Sequence, residues 1–456
     1  MLNKLAIKCN LIIVSLMLLL STPVMAFAAT NVANSNTNKT VELQRSQLLD
    51  KETSYLLKHN KPLSLTAKSA IAIDYKTGQV LYEKNAYQSL PTASMSKVLT
   101  LYVTLKHIKE GKIHWNDKVT INKALHDLSV DHNYANVKLT QGKQYTIRQL
   151  YQAALYSENA ATMALGYGVA HGSTQRFALM MRSEAKKIGI TDAKVYTACG
   201  LTNGEVGSLG FSNASYDAEN ELSARDMALL TIHILRLYPQ ILKTSSANTT
   251  QFENTTMLNW NWMIKGRSQA LPDIKVDGLK TGTSDTAKAC FTGTAVKNGN
   301  RIITVVMGVP NAGQYDPARF IQTRKLMKYV YAKYHYVALN KGESLSVATN
   351  RQHNSVIDVP NGKQKSVEVG IAANQGVWLT KNQSLEVTKI NAINKYAKGN
   401  GVDAGTFKAG DTIAKAKFNG IRYIKGVPTT VNLIAKDQVD KANIFVRFWR
   451  SMTSWF

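Results

Sequence analysis

The spacing of apolar residues along this chain changes several times, and each change marks a different kind of element. An apolar run from 11 to 20 follows Lys4 and Lys8 and precedes Ala26-Phe27-Ala28, a small-residue cleavage pattern. A basic start, a short apolar stretch and a processing site describe an export leader over 1–28, too short in its apolar part to span a membrane comfortably. From 29 to 61 the chain is rich in Asn, Thr and Ser, with weak helical periodicity over 43–57, which predicts a tether or lead-in helix. Residues 69–74 read as a buried strand, Tyr75-Lys76-Thr77-Gly78 as a turn, and 79–82 as the returning strand. Helical spacing then dominates over 96–106, 147–169, 175–188 and 224–237. Strand patterns resume at 289–295 and 301–308, and a helix is expected near 318–334. One strand pair, many helices and then more strands predict an α/β (α+β) domain over 62–335, an antiparallel sheet completed by both ends of the segment with helices against it.

After Tyr336 the texture changes. Short alternating runs at 366–370, 376–379 and 384–389, separated by Gly, Asn and Lys, predict a small all-β domain over 336–436. The last segment, 437–456, differs again. Phe445, Phe448, Trp449, Met452, Trp455 and Phe456 fall near one helical face, with Asn443, Arg447, Arg450, Ser451 and Ser454 on the other. Aromatic residues facing arginines suit a helix lying in a membrane surface, the competing arrangement being a terminal helix docked on the β domain.

Composition narrows these expectations. With 44% hydrophobic and 19% charged residues, the 456-residue chain buries real cores and is not a disordered polymer. Its formal charge of +26 falls to about +24 once Lys4 and Lys8 leave with the leader. Such a balance favours anionic surroundings, and export directs it to acidic lipid or anionic wall polymers rather than nucleic acid. Dispersed lysines that only aid solubility are the plainer explanation. Cys9 lies in the leader, so Cys199 and Cys290 remain, too few for a disulfide framework and expected as free thiols rather than one bridge.

Three short strings carry the chemistry. Ser94-Met95-Ser96-Lys97 stands where a turn-like Pro91-Thr92-Ala93 meets a helical run. Residues three apart share a helical face, so the Lys97 amine can reach the Ser94 hydroxyl, and free N–H groups at a helix start favour an oxyanion. Lysine acts as a base only if its pKa falls, through burial or a second cation such as Lys280. Alone, the string is more often a capping serine beside a surface lysine. Ser157-Glu158-Asn159 supplies a hydroxyl to relay protons and an amide to orient Lys97, although Ser and Asn at a helix start are commonly plain caps. Val276 to Ser284 reads as an edge strand; in it Lys280, Thr281 and Thr283 can bind an anion, and Gly282 permits close approach. The N–H of Thr283 is a candidate oxyanion donor beside that of Ser94. In order and together, these strings describe acyl transfer by serine with lysine moving the protons.

The set resembles the low-molecular-mass penicillin-binding proteins, in particular the D-alanyl-D-alanine carboxypeptidases of bacterial wall maturation. The similarity runs from about Ala67 to Tyr334. It includes Asp74-Tyr75-Lys76-Thr77-Gly78-Gln79-Val80-Leu81-Tyr82, Ser223-Ala224-Arg225-Asp226-Met227-Ala228 and Asp277-Gly278-Leu279-Lys280. It implies the penicillin-recognising serine transpeptidase/β-lactamase-like fold, with Ser94 the nucleophile, Lys97 its base, and Ser157 and Asn159 moving protons and placing substrate. Lys280, Thr281, Gly282, Thr283 and Arg319 are implied on the side of the terminal carboxylate, with no metal and no organic cofactor. The partners implied are peptidoglycan stem peptides, β-lactam antibiotics and the outer leaflet of the cell membrane. Two departures stand out: the long polar run 202–220, and Glu158 where a small residue is more usual. Rival readings share the fold: a D,D-transpeptidase, an inert wall-binding protein, or a β-lactamase. The last is disfavoured because Glu219-Asn220-Glu221-Leu222 is followed by Ser223 rather than Asn.

Overall fold

The computed structural model describes residues 35–313, 315–346 and 355–453, so the expected leader and the last three residues lie outside it. The first described element is helix α1 (Ser35–Lys58), longer than the periodicity predicts. Its stability comes from docking rather than from an apolar stripe. Glu52 pairs with Lys325 at 2.8 Å and Asp50 with Lys328 at 2.9 Å, both on a helix late in the chain.

Strands β1 (Ser69–Asp74) and β2 (Val80–Lys84) form a hairpin. Its turn is closed by the Asp74 carboxylate, which accepts from the Thr77 N–H at 2.8 Å and the Thr77 hydroxyl at 2.7 Å. Three long strands follow much later: β3 (Lys275–Ser284), β4 (Lys288–Lys297) and β5 (Asn300–Val309). All pair antiparallel in the order β2-β1-β5-β4-β3, so the sheet is completed by both ends of the segment, as the sequence predicts. Ile71 aligns with Val305, Val305 with Thr292, and Thr292 with Lys280. The near-continuous apolar strands are explained by burial on both faces. Ile71, Ile73, Ile303 and Val305 enter one core, whereas Ala70, Ala72, Ile302 and Val306 enter another with Phe320, Leu326 and Val330.

The helical section supplies α2 (Lys97–Lys109), α3 (Ile147–Leu155), α4 (Asn159–Val169), α5 (Thr174–Lys187) and α6 (Ala224–Leu237). Reciprocal caps start two of them: Thr146 with Gln149 for α3, and Ser223 with Asp226 for α6. The single helix expected over 147–169 is in fact two. Apolar residues stand at Leu155 and Tyr156 and resume at Ala160 with spacing a single helix would also show, but the backbone turns at Ser157, which holds φ 86°. Helix α7 (Ala318–Lys333) covers the other face of the sheet and completes the segment.

Beyond it lie β6 (Tyr334–Leu339), β7 (Val356–Asp358), β8 (Ser366–Ile371), β9 (Gln375–Thr380), β10 (Val387–Ala392), β11 (Thr412–Phe418) and β12 (Val431–Ala435). A five-stranded sheet runs β7-β8-β12-β11-β10, and β6 pairs with β9. Val369, Ile371, Val377, Ile413 and Leu433 fill its core. The strand expected at 384–389 begins three residues later, because Leu385 packs into that core ahead of the ladder.

The junction between the two units is specific. The Trp378 indole N–H donates to Asp74 at 2.9 Å, and Gln79 exchanges two hydrogen bonds with the Trp378 backbone at 2.7 and 2.9 Å. Arg225 bonds Asp226, the Gly189 carbonyl and the Lys425 carbonyl. The last described element is α8 (Ile444–Thr453), with Phe445 80% and Trp449 68% exposed, while Arg450 donates to the Gly362 carbonyl at 2.7 Å.

Candidate active site

Ser94 lies in a 3-10 turn, Ala93–Ser96, that feeds directly into α2. Two features force this turn into shape. Ala93 takes φ 44°, a left-handed conformation costly for a residue with a Cβ. The Thr92 hydroxyl meets the Ser96 hydroxyl at 2.8 Å and donates to the Asn220 carbonyl at 3.0 Å, tying the turn to the 202–220 run. Ser94 is left half-buried while Met95, Ser96 and Lys97 are buried.

Lys97 is fully enclosed and its Nζ has three partners: Ser94 Oγ at 2.9 Å, Asn159 Oδ1 at 2.7 Å and the Cys199 carbonyl at 2.7 Å. Their chemistry differs. The amide oxygen and the carbonyl only accept, whereas the hydroxyl also donates. A neutral amine with both N–H groups given to Asn159 and Cys199 therefore turns its lone pair towards the Ser94 O–H. Burial lowers the Lys97 pKa to about 8, opposed by the neighbouring Cys199 and Glu158. The neutral form is thus accessible near physiological pH, and burial, not the second cation, supplies the shift. Gly200, at φ 83°, is needed for this approach, since a Cβ there would lie 2.0 Å from the Ala93 carbonyl oxygen.

Ser157 and Asn159 flank the break between α3 and α4. The Asn159 amide nitrogen donates to the Ala135 carbonyl at 3.1 Å, which leaves its oxygen aimed at Lys97. Lys280 Nζ donates to Ser157 Oγ at 2.9 Å and to the Thr281 carbonyl at 3.1 Å. Lys280 is 2% exposed, and burial first, then the charges of Lys97 and Arg319, push its pKa well down. Arg319, at the start of α7, donates to the Gly282 carbonyl at 2.6 Å, the Cys290 carbonyl at 3.2 Å and Thr283 Oγ1 at 2.6 Å. Burial lowers its pKa to about 10. The guanidinium thereby braces the strand and places Thr283. A Cβ on Gly282 would lie 2.5 Å from the Thr92 carbonyl oxygen, a measure of how closely β3 approaches the Ser94 turn.

Ser94, Ser157, Asn159, Thr281, Gly282, Thr283 and Arg319 all line one cavity of about 350 Å³, and Lys97 and Lys280 sit directly behind it. The wall also contains Tyr134, Leu201, Trp260, Trp262 and Asp285, which no motif reveals. The Trp-Asn-Trp string at 260–262 was the available signal, but aromatic residues in a loop do not announce which space they border. Glu158, adjacent to the hydroxyl and the amide, is 8% exposed, and burial raises its pKa to about 7. Cys199 and Cys290 are buried free thiols. Among the described residues no cluster of His, Cys, Asp and Glu is suited to a metal ion.

Comparison with known proteins gives consistent matches. The family model for D-alanyl-D-alanine carboxypeptidase (Peptidase_S11) matches residues 57–311. The chain is 28% identical over 338 residues to the D-alanyl-D-alanine carboxypeptidase DacF of Bacillus subtilis, covering 73% of this chain and 77% of that one. It is 26% identical over 392 residues to DacA of Haemophilus influenzae, covering 85% and 89%. Among solved structures, a peptidoglycan synthesis regulatory factor (PBP3) from Streptococcus pneumoniae matches with a TM-score of 0.68 at 27% identity, covering 82% of this chain and all of that one. Penicillin binding protein 5 from Haemophilus influenzae shares the fold, with a TM-score of 0.63 at 24% identity over 84% and 99%.

Proposed function

This chain belongs to the D-alanyl-D-alanine carboxypeptidase family, and from that premise we propose that its serine-type peptidase activity is carried by Ser94 through a covalent acyl-enzyme. The substrate is a peptidoglycan stem peptide ending in two D-alanines. Neutral Lys97 takes the Ser94 proton as Oγ attacks the penultimate carbonyl, and the developing oxyanion is held by the N–H groups of Ser94 and Thr283. The proton passes by way of Ser157, itself held by Lys280, to the departing amine of the terminal D-alanine. Thr281 and Thr283, beside the charges of Lys280 and Arg319, receive the terminal carboxylate. Water then attacks the acyl-enzyme, with Lys97 again the base, and releases the shortened peptide. β-Lactams acylate the same oxygen.

The observation that carries this reading is the three-partner setting of Lys97, which directs its lone pair at Ser94 next to the 280–283 strand. The test is release of D-alanine from a stem pentapeptide, with peptide mapping after labelling by a fluorescent penicillin. Wild type is expected to release D-alanine and carry the label on Ser94, and Ser94→Ala to do neither. Label on another residue, or release by Ser94→Ala, refutes it.

The same reading places the enzyme outside the cytoplasm, on the outer face of the membrane. No helix among the described residues is long and apolar enough to cross a membrane. The support is α8, which leaves Phe445, Phe448, Trp449 and Met452 exposed beside Arg447 and Arg450. Flotation with vesicles containing acidic lipid is expected for wild type and lost in Phe448→Glu/Trp449→Glu. Equal flotation of both proteins counts against the anchor. The +26 charge suits acidic lipid and anionic wall polymers alike.

A further inference from the structure

A second cavity, of about 530 Å³, opens where the two units meet and is roomier than the active-site cavity. The turn between β1 and β2 supplies Tyr75, Lys76 and Thr77, and the end of α6 supplies Arg236. Opposite them stand the turn between β8 and β9, with Asn374 and Gln375, and then Tyr423 and Asn432. The walls are fastened without any ligand. The Arg236 guanidinium donates to the Lys76 carbonyl at 2.8 Å, the Ile424 N–H to the Gly78 carbonyl at 3.0 Å and the Ala372 N–H to the Asn432 carbonyl at 3.0 Å. Among the described residues no carboxylate lines the cavity, and neither Lys76 nor Arg236 forms an ion pair. Asp74, the acid closest in sequence, is already held by Thr77 and Trp378. Two cations with amides, hydroxyls and phenol rings, and no acid, suit an anionic sugar or polyol unit.

The adjoining sheet continues this character. Lys389 on β10 lies directly opposite Lys417 on β11, and Lys415 lies between Asn391 and Asn432. Lys415 and Lys417 alternate with the buried Ala416 and Phe418, so both leave the core on one face, with Lys389 beside them. All three lysines are exposed, and none has an ion pair among the described residues; Glu386, the acid just before β10, accepts from Asn419 at 3.3 Å. Like charges directly opposite each other cost stability, so this arrangement does nothing for the fold. Asn432 borders the cavity and aligns with Lys415, which joins the two features. We propose that the junction cavity and the face of Lys389, Lys415 and Lys417 together bind an anionic wall polymer, one repeating unit seated beside Lys76 and Arg236 and its neighbours laid across the lysines. Lysines two apart on a strand stand about 7 Å from each other, so the face meets several anions of one chain at once. Lysine, a point charge, suits phosphate. An acidic membrane fits less well. Helix α8 is rooted at the β7 edge of this sheet, where Arg450 donates to the Gly362 carbonyl in the turn between β7 and β8. Strand β10 is the opposite edge, four strand spacings or about 19 Å away.

This inference rests on the reading that the protein works outside the cytoplasm, against the wall. The experiment titrates the protein into fluorescent poly(glycerol phosphate), with neutral dextran as the comparison, at about 50 and about 200 mM salt, read by anisotropy. Wild type is expected to bind the phosphate polymer and not dextran. Lys389→Gln/Lys415→Gln/Lys417→Gln and Lys76→Gln/Arg236→Gln are each expected to lose about tenfold in affinity at the lower salt. They also flatten the dependence of log affinity on log salt, by about 2 and about 1.4 respectively, because fewer counterions are released. Lys109→Gln/Lys118→Gln/Lys186→Gln removes as much charge as the first variant from exposed positions of the catalytic unit, and is expected to bind nearly as wild type. No binding by wild type, equal binding of dextran, wild-type affinity in either of the first two variants, or an equal loss in the third overturns the proposal. An unchanged urea midpoint in the first two variants shows that lost binding is not lost fold. Flotation with acidic vesicles separates a lipid site: both variants are expected to float as wild type does, and loss of flotation in them overturns the proposal as well. A wild type that does not float refutes the anchoring reading instead. Ser94→Ala is expected to bind polymer as wild type does, so failure of the acyl-enzyme reading is distinct from failure here.

Discussion

Gly282→Ala is the most informative single change, because it adds one methyl where the two halves of the site meet. A Cβ at 282 would lie 2.5 Å from the Thr92 carbonyl oxygen and 3.2 Å from both the Met95 nitrogen and the Met95 Cγ. Ordinary contact begins at 3.4 Å, so the first of these is short by about 0.9 Å and the neighbour is backbone, which cannot rotate away. The Ser94 turn is the stiffer side. Thr92 is fixed through its N–H to the Asn220 carbonyl at 3.0 Å, and its own carbonyl accepts the Met95 N–H at 3.0 Å. β3 is an edge strand, so it yields, and the Arg319 bond to the Gly282 carbonyl lengthens with it. A displacement near 1 Å between nucleophile and oxyanion donor costs up to roughly 100-fold in rate, and the overpacking itself about 1–3 kcal/mol of stability. The assay is the second-order acylation rate with a fluorescent penicillin, read beside a thermal melt. Gly293→Ala is the control: its Cβ meets Phe291 at 2.7 Å, in the sheet interior, and is expected to lower the melt without a comparable loss of acylation. If Gly282→Ala acylates within threefold of wild type, or the two variants lose rate equally, the close approach of strand and turn is not what builds the site.

Other consequences follow from the same geometry. Because burial holds Lys97 near 8, the acylation rate is expected to rise about tenfold per pH unit below that value and level off above it; a flat profile from pH 6 to 9 would remove Lys97 as the base. The unfolded chain holds that proton more tightly than the folded one, so the stability from this group grows as pH rises from about 8 towards 10.5, which pH-dependent denaturant titration measures. Trp378→Phe removes the N–H that Asp74 accepts and is expected to cost about 1–2 kcal/mol in urea unfolding while leaving acylation intact; an unchanged midpoint would show that this bond does not hold the two units together. Asp277→Asn breaks the bidentate pair with Arg301, at 2.6 and 2.8 Å, and is expected to cost about 2–3 kcal/mol, with loss of that effect in Arg301→Met/Asp277→Asn as the check.

What the sequence made legible follows from which interactions are local. Ser94 and Lys97 lie one turn apart, so their contact is set by helical geometry alone, and the order of strands and helices is carried by changes of period. The break at Ser157 was hidden because Leu155 and Tyr156 before it and Ala160 and Ala161 after it keep an apolar spacing that a continuous helix would also show. Only the three-dimensional requirement that Ser157 face Lys280 and Asn159 face Lys97 bends the chain there. The Cys199 carbonyl had no sequence signal, since backbone acceptors carry no residue identity. Strings that the family resemblance brought forward without a role now have one. Asp74 and Gln79 hold Trp378, Arg225 reaches the Lys425 carbonyl, and Asp277 anchors β3 through Arg301. These residues serve the frame and not the chemistry.

The electrostatics of the site have a common cause. Lys97, Lys280 and Arg319 are all buried, and none forms an ion pair among the described residues. An ordinary buried cation is paired, because desolvation otherwise drives off its proton. Here backbone carbonyls replace the counter-ions: Cys199 for Lys97, Thr281 for Lys280, and Gly282 with Cys290 for Arg319. A carbonyl dipole holds the side chain in place without neutralising it, so the lysines remain close to losing protons and the cavity keeps a positive potential. On the proposed acyl-enzyme reading both properties are used at once, one for a base and the other for a ligand that ends in a carboxylate. A full salt bridge to any of the three would strengthen the fold locally and remove one of those properties. That is why the strands and turns contribute main chain here.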